Sequence, residues 1–300
     1  MIVTRRDFLK YCSSLAGVLG LGSFELKALA EGLRNPTAPA VLWLQGAGCT
    51  GCSVSLLNHI STTAPHDAAD LLINTIDLGY HPNLMASAGQ SAINAARAVY
   101  EAGNYVLVVE GGVPTAFDGA PCFAWTDNGI DVTFWEAVHQ LGERAAAIIC
   151  VGECSAFGGI WAAPPNPTGI QSVSAVTGRT TINVAGCPPH PNWIVWVIAQ
   201  YLAGSTINLD AYGRPTALYG NSLRIHSHCP LRETEEASQF GQEGRCLEEL
   251  GCRGPSTYAN CYSLRWNNGV NWCIGAGGPC IGCTSPTFPG TQAFYAHGDD

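Results

Sequence analysis

Fourteen cysteines in 300 residues constrain this chain more than any other feature. Several fall in short pairs, among them Cys49-Thr50-Gly51-Cys52 and Cys280-Ile281-Gly282-Cys283. At that spacing two thiols from one turn can hold one metal. All but Cys12 follow the run Thr4-Arg5-Arg6-Asp7-Phe8-Leu9-Lys10, which has the twin-arginine form of proteins exported after folding. A disulfide scaffold and a redox metalloprotein both use many cysteines. Folding in a reducing compartment before export favours the metalloprotein, because the thiols meet metal before oxidant.

Residues 1–30 read as the leader, with a charged start, a weakly apolar stretch from Tyr11 to Phe24 and a small-residue site at Ala28-Leu29-Ala30. Ser13, Ser14, Ser23 and Glu25 interrupt the apolar stretch, which is short for a spanning helix. Cys12 lies inside the leader and is given no role. No other segment approaches a membrane span, and Asp300 is not preceded by a hydrophobic tail. Of fourteen basic and twenty-three acidic side chains, four and two lie in the leader, so the mature chain carries ten against twenty-one, a formal charge of −11. That balance excludes nucleic acid as a partner, since such binding rests on Lys and Arg at phosphates. It suits a cationic redox partner steered in by charge, as well as ordinary solubility.

The remaining sequence has two grammars. From 31 to 204, apolar runs at Ala40–Gln45, Leu71–Leu78, Tyr105–Glu110, Ala145–Gly152 and Thr181–Ala185 alternate with helical stretches around Ser53–Ile60, Gly89–Glu101, Val132–Arg144, Gly169–Val176 and Asn192–Leu202. Strands rich in Val, Ile and Leu, separated by helices, predict an α/β fold with a doubly wound parallel sheet of flavodoxin-like type. From 205 to 300, Pro, Gly, Asn and aromatic residues dominate and seven cysteines appear. So irregular a segment needs metal or cross-links to stay folded.

Cys49 and Cys52 follow the first strand, Cys154 the fourth and Cys187 the fifth. All four thiols are therefore expected just past the carboxyl ends of parallel strands, where such sheets gather ligands. Together they make an all-cysteine site suited to zinc or a 4Fe–4S cluster; Cys49 and Cys52 alone would read as a thioredoxin-like pair. In the second half His226 stands three positions before Cys229, and Cys246 and Cys252 add two thiols. His228 is the competing histidine, poorer because it adjoins Cys229. Cys261, Cys273, Cys280 and Cys283 form the third set. Disulfides are the alternative for both of these sets. Cys150 reads as a buried apolar thiol, and Cys122, after a Gly-Ala-Pro turn, has no assigned role.

Several longer motifs agree with one family. They are Leu42-Trp43-Leu44-Gln45-Gly46-x-Gly48-Cys49-Thr50-Gly51-Cys52-Ser53, Val109-Glu110-Gly111-Gly112-Val113-Pro114, Gly186-Cys187-Pro188-Pro189-His190-Pro191, Cys246-Leu247-x-x-Leu250-Gly251-Cys252-x-Gly254-Pro255 and Asn271-Trp272-Cys273. Together they resemble the small subunit of periplasmic nickel–iron hydrogenases. The resemblance implies an oxidoreductase subunit with no catalytic residue of its own, carrying three iron–sulfur clusters between a nickel-bearing large subunit and an external acceptor such as a multihaem cytochrome c. By motif, Cys49, Cys52, Cys154 and Cys187 would hold the proximal 4Fe–4S cluster. His226, Cys229, Cys246 and Cys252 would hold the distal one, and Cys261, Cys280 and Cys283 the medial one. The loop of Glu110 would face the large subunit. Many members have proline where this chain has Cys273, giving a 3Fe–4S medial cluster; the extra thiol here predicts 4Fe–4S. Gly48 replaces an acidic residue common in the family, so no proton route can use a carboxylate there. Both departures are similar to the nickel–iron–selenium subgroup. Rival readings are a related iron–sulfur protein for sensing or quinone reduction, and a disulfide-stapled binding protein.

Overall fold

A computed structural model describes residues 40–291; the twin-arginine leader and Cys12 lie outside them. The strands are β1 (Ala40–Gln45), β2 (Asp77–Tyr80), β3 (Val106–Glu110), β4 (Val113–Pro114), β5 (Phe123–Asp127), β6 (Ile130–Thr133), β7 (Ala147–Val151), β8 (Ile170–Gln171) and β9 (Ile182–Val184). Five of them form one sheet in the order β2-β1-β3-β7-β9, every neighbouring pair parallel. Counting only these five along the chain gives 2-1-3-4-5, the flavodoxin-like order.

The apolar runs are continuous because both sheet faces are covered. Alternate residues point opposite ways. Val41, Trp43, Val106, Val108, Ile149 and Val151 join one core cluster, while Leu42, Leu44, Leu107, Val109, Ile148 and Cys150 join another. Helices Gln90–Ala102 and Phe134–Arg144 cover the second face through Ala92, Ala96, Phe134 and Val138. Helix Pro191–Leu202 covers the first through Trp193, Ile194 and Val197, and the chain beyond 205 packs into the same cluster with Tyr219, Ile225, Ala259 and Trp272. That later part holds only short helical turns. Among the described residues no helix is long and apolar enough to cross a membrane.

Three expected elements differ. The run read as a strand over 71–78 begins as a helical turn, Leu71–Thr75, and only Asp77–Tyr80 joins the sheet. The Asp67 side chain accepts the Asp70 N–H and starts that turn upstream, and a short apolar run carries no periodicity to reveal it. The helix expected from Val132 starts at Phe134, because Ile130–Thr133 pairs with Phe123–Asp127 in a hairpin. The helix expected from Gly169 is preceded by Ile170–Gln171, which pairs with Val113–Pro114; Ser172 then caps helix Val173–Thr177.

Candidate metal centres

In this sheet order the crevice lies between β1 and β3, whose connections leave in opposite directions. The two loops meet there, Ala47 pairing with Gly112. Gly111, at φ +93°, lets them approach: a Cβ there would stand 2.8 Å from the Gly46 carbonyl carbon. Helix Gly51–Leu57 opens in the first loop and carries Cys52. Cys154 lies in helix Glu153–Phe157 after β7, and Cys187 follows β9.

These four thiols sit within one another's electrostatic reach. Burial first, then Glu110 and the thiols of Cys154, Cys187 and Cys49, push the Cys52 thiol well above its ordinary range. Burial, followed by Cys187 and Cys49, pushes Cys154 up to about 12. Crowded thiols protonate unless a cation compensates them, so this donor set fits a metal that binds thiolates and releases their protons. The backbone fits too. Gly152, at φ +98°, passes so close that a Cβ would stand 2.4 Å from the Cys52 sulfur.

Glu110 ends β3 buried, 1% exposed, rather than solvated. Its carboxylate accepts from the N–H groups of Cys52 and Ser53, the Ser53 hydroxyl and the Trp43 indole. Four donors from the β1 strand and its loop thus converge on one side chain and fix the turn that carries Cys52. Behind it, the Asn83 N–H donates to His81 Nδ1, so the His81 Nε2–H faces the Ser53 hydroxyl at 3.2 Å. Burial lowers His81 to about 4, which keeps the imidazole neutral.

The second set surrounds a small cavity. His226, Cys229, Cys246 and Cys252 line it, with Leu247 and Ile274 closing it. His226 lies in the turn His226–His228, and its Nε2 is 3.8 Å from Glu248 Oε2. His228 is engaged elsewhere: its Nε2 meets the Ser222 carbonyl at 2.9 Å and its ring stacks on Tyr262. Burial, then the neighbouring thiols, push up Cys229 and Cys252.

The third set is brought together as well. Cys261 feels Cys280 and Cys273 and, mostly through burial, rises to about 12; Cys283 feels Cys280, Cys261 and Cys273. This set touches both others. The Cys187 backbone lies close enough to the Cys283 thiol to lower it, and the Cys280 N–H donates to the Cys252 sulfur at 3.3 Å. All thirteen cysteines among the described residues are free thiols, which removes the disulfide reading for them. Cys150 is fully buried in the sheet, as its apolar surroundings predict. Cys122 packs at the edge of the second core cluster, away from the three sets.

A residue missed in the sequence is Glu153, 1% exposed. One oxygen accepts the Gly186 N–H at 3.3 Å and the other has no hydrogen-bond partner; burial pushes its carboxyl well above the usual range. Its only sequence signal is its place between Gly152 and Cys154.

Comparison with known proteins agrees with this geometry. A family model described as NADH ubiquinone oxidoreductase, 20 Kd subunit, matches residues 49–201. A second, for the C-terminal part of the NiFe/NiFeSe hydrogenase small subunit, matches residues 221–296. The periplasmic [NiFeSe] hydrogenase small subunit of Desulfomicrobium baculatum is 40% identical over 98% of this chain and 99% of its own length. The chain belongs to the nickel–iron hydrogenase small subunits. The periplasmic [NiFe] hydrogenase small subunit of Solidesulfovibrio fructosivorans is 39% identical, over 99% of this chain and 94% of that protein. The recombinant [NiFeSe] hydrogenase from Desulfovibrio vulgaris Hildenborough, solved in the oxidised state, superposes with a TM-score of 0.80 at 38% identity, covering 87% of this chain and 99% of that one. As a hydrogenase small subunit, this protein is the electron-transfer part of an oxidoreductase, and its thiol sets are the part of it suited to iron–sulfur clusters.

Proposed function

We propose that electrons pass through this protein along three clusters in a line. Cys49, Cys52, Cys154 and Cys187 hold the proximal 4Fe–4S cluster beside the nickel-bearing large subunit. Cys261, Cys273, Cys280 and Cys283 hold a medial 4Fe–4S cluster, and His226, Cys229, Cys246 and Cys252 the distal one. Residues 31–204 form the proximal-cluster domain and 205–300 the domain of the other two. The observation that carries this order is that the third set touches each of the others, through the Cys280 N–H on the Cys252 sulfur and through the Cys187 backbone beside the Cys283 thiol. Such clusters supply one-electron transfer; the protein supplies spacing, hydrogen bonds to sulfur and burial, which set potential.

The loop after Glu110 faces the large subunit, while the Glu110 carboxylate anchors the Cys52 turn of the neighbouring loop. The protein works in the periplasm, reached by the twin-arginine route. Its acceptor is a multihaem cytochrome c with a lysine-rich face. What supports this acceptor is the segment around Cys246, which carries the exposed Glu233, Glu235, Glu236, Glu243, Glu248 and Glu249. Cys273 and Gly48 favour a nickel–iron–selenium partner, although relatives of both names are similarly close, at 40% and 39% identity.

The test is anaerobic isolation of the complex, metal analysis and EPR of the oxidised protein. Nickel, iron for three clusters and no strong 3Fe–4S signal are expected; stoichiometric selenium would place the partner. A strong 3Fe–4S signal would refute the four-thiol medial site, and iron without nickel would refute the hydrogenase pairing.

A further inference from the structure

The pair formed by His226 and Glu248 goes beyond the ligand assignments, and its reading rests on the second set being the distal cluster site. We propose that Glu248 is the positioning residue of that site: it fixes the ring orientation of His226 and lowers the reduction potential there.

Three observations carry this. First, one nitrogen of His226, the Cys246 sulfur and a Glu248 oxygen all lie within 4.8 Å of one another, so the carboxylate reaches the ligand shell. Second, it does not enter it. The cavity is walled by His226 and the three thiols, and Glu248 is not part of that wall. It faces His226 Nε2 at 3.8 Å, an electrostatic contact that a slight turn of the carboxylate makes into a hydrogen bond. An imidazole that presents one N–H to a carboxylate offers the other nitrogen to metal, so with Nε2 toward Glu248 the ring would offer Nδ1 to a bound cluster. Third, the turn that carries Glu248 is held in place, while its side chain stays 45% exposed. Glu248 opens the turn Glu248–Leu250, clamped by the buried Leu247 and Leu250. Arg245, three positions earlier, is paired with Glu235 at 3.0 Å and so is not Glu248's partner.

A fixed negative charge beside a redox centre disfavours the electron's arrival. The electron received from the third set then meets a lower potential at the second and passes more readily to the external acceptor. No bond forms or breaks in this step.

The experiment is a potentiometric EPR titration of the intact two-subunit holoenzyme, wild type against Glu248→Gln, Glu248→Ala and Glu248→Asp. Gln keeps the volume and an acceptor but removes the charge; Asp keeps the charge. The distal potential should rise in Gln and Ala by a factor on the order of ten in the one-electron equilibrium constant, about 59 mV, and return most of the way in Asp. Proximal and medial potentials should stay put. Pulsed EPR should show altered imidazole-nitrogen couplings in Ala but near wild-type ones in Gln. An unchanged distal potential in Gln and Ala would overturn the inference alone, and so would loss of the cluster from Gln, the mark of a purely structural side chain. A wild-type complex without a histidine-bound cluster signal would overturn the underlying reading.

Discussion

At the residue scale, Gly152 shows how narrow the fit around the first thiol set is; the residues nearest it, Glu110 and Glu153, depend on Trp43, Ser53 and Gly186, which only the folded chain brings near. Alanine at position 152 would place its Cβ 2.4 Å from the Cys52 sulfur and hold a non-glycine residue at φ +98°, a conformation costing about 1–3 kcal/mol before any clash. Gly152→Ala should therefore cost the complex its proximal cluster and hydrogen-dependent dye reduction, read as iron content falling by one cluster per complex. Wild-type iron and activity would refute this. The thiols themselves were legible in the sequence, because cysteine is scarce enough that its type and its place after a strand point to a ligand.

At the element scale, four of the five sheet strands and helix Pro191–Leu202 were readable within one or two residues, because long buried apolar runs leave little choice. The strand before His81 and the β4–β8 pair were not, since each is settled by a partner far along the chain. The β5–β6 hairpin was missed although its partner strands are adjacent and Asn128-Gly129 marks the turn between them. Thr133 sits at its end. It closes β6 by pairing with β5 and caps helix Phe134–Arg144 through a local reciprocal box with Glu136. Thr133→Ala should weaken the helix start by about 1 kcal/mol, seen as faster hydrogen exchange in its first turn. Hydrogen bonds from the Thr133 N–H and hydroxyl hold the Glu136 carboxyl below its usual range. A lowered carboxyl stabilises the fold above its unfolded pKa, and that contribution is lost as pH falls through the folded one. Protection of this turn should thus decline on acidification in the wild type and keep part of that dependence in Thr133→Ala, because the backbone N–H at 133, the larger cause, remains.

At the scale of the whole molecule, the contrast between an ordered first half and a cysteine-rich second half was plain from composition. That the second half would pack into the same core cluster as helix Pro191–Leu202 was not, because its aromatic anchors have no periodicity. The chain's formal charge of −9 and the exposed acidic residues of the segment around Cys246 predict that reduction of a lysine-rich cytochrome slows as salt rises, in the manner of steered association. Stopped-flow rates flat between low and physiological ionic strength would count against that acceptor. On the proposed assignment the order of the sets in space also differs from their order in the sequence, because the thiols synthesised last lie between the two groups synthesised earlier, touching each. A growing polypeptide would then make both ends of its wire before the join, and a copy that stops short of Cys280 would be an insulator broken in the middle, however well its ends are formed.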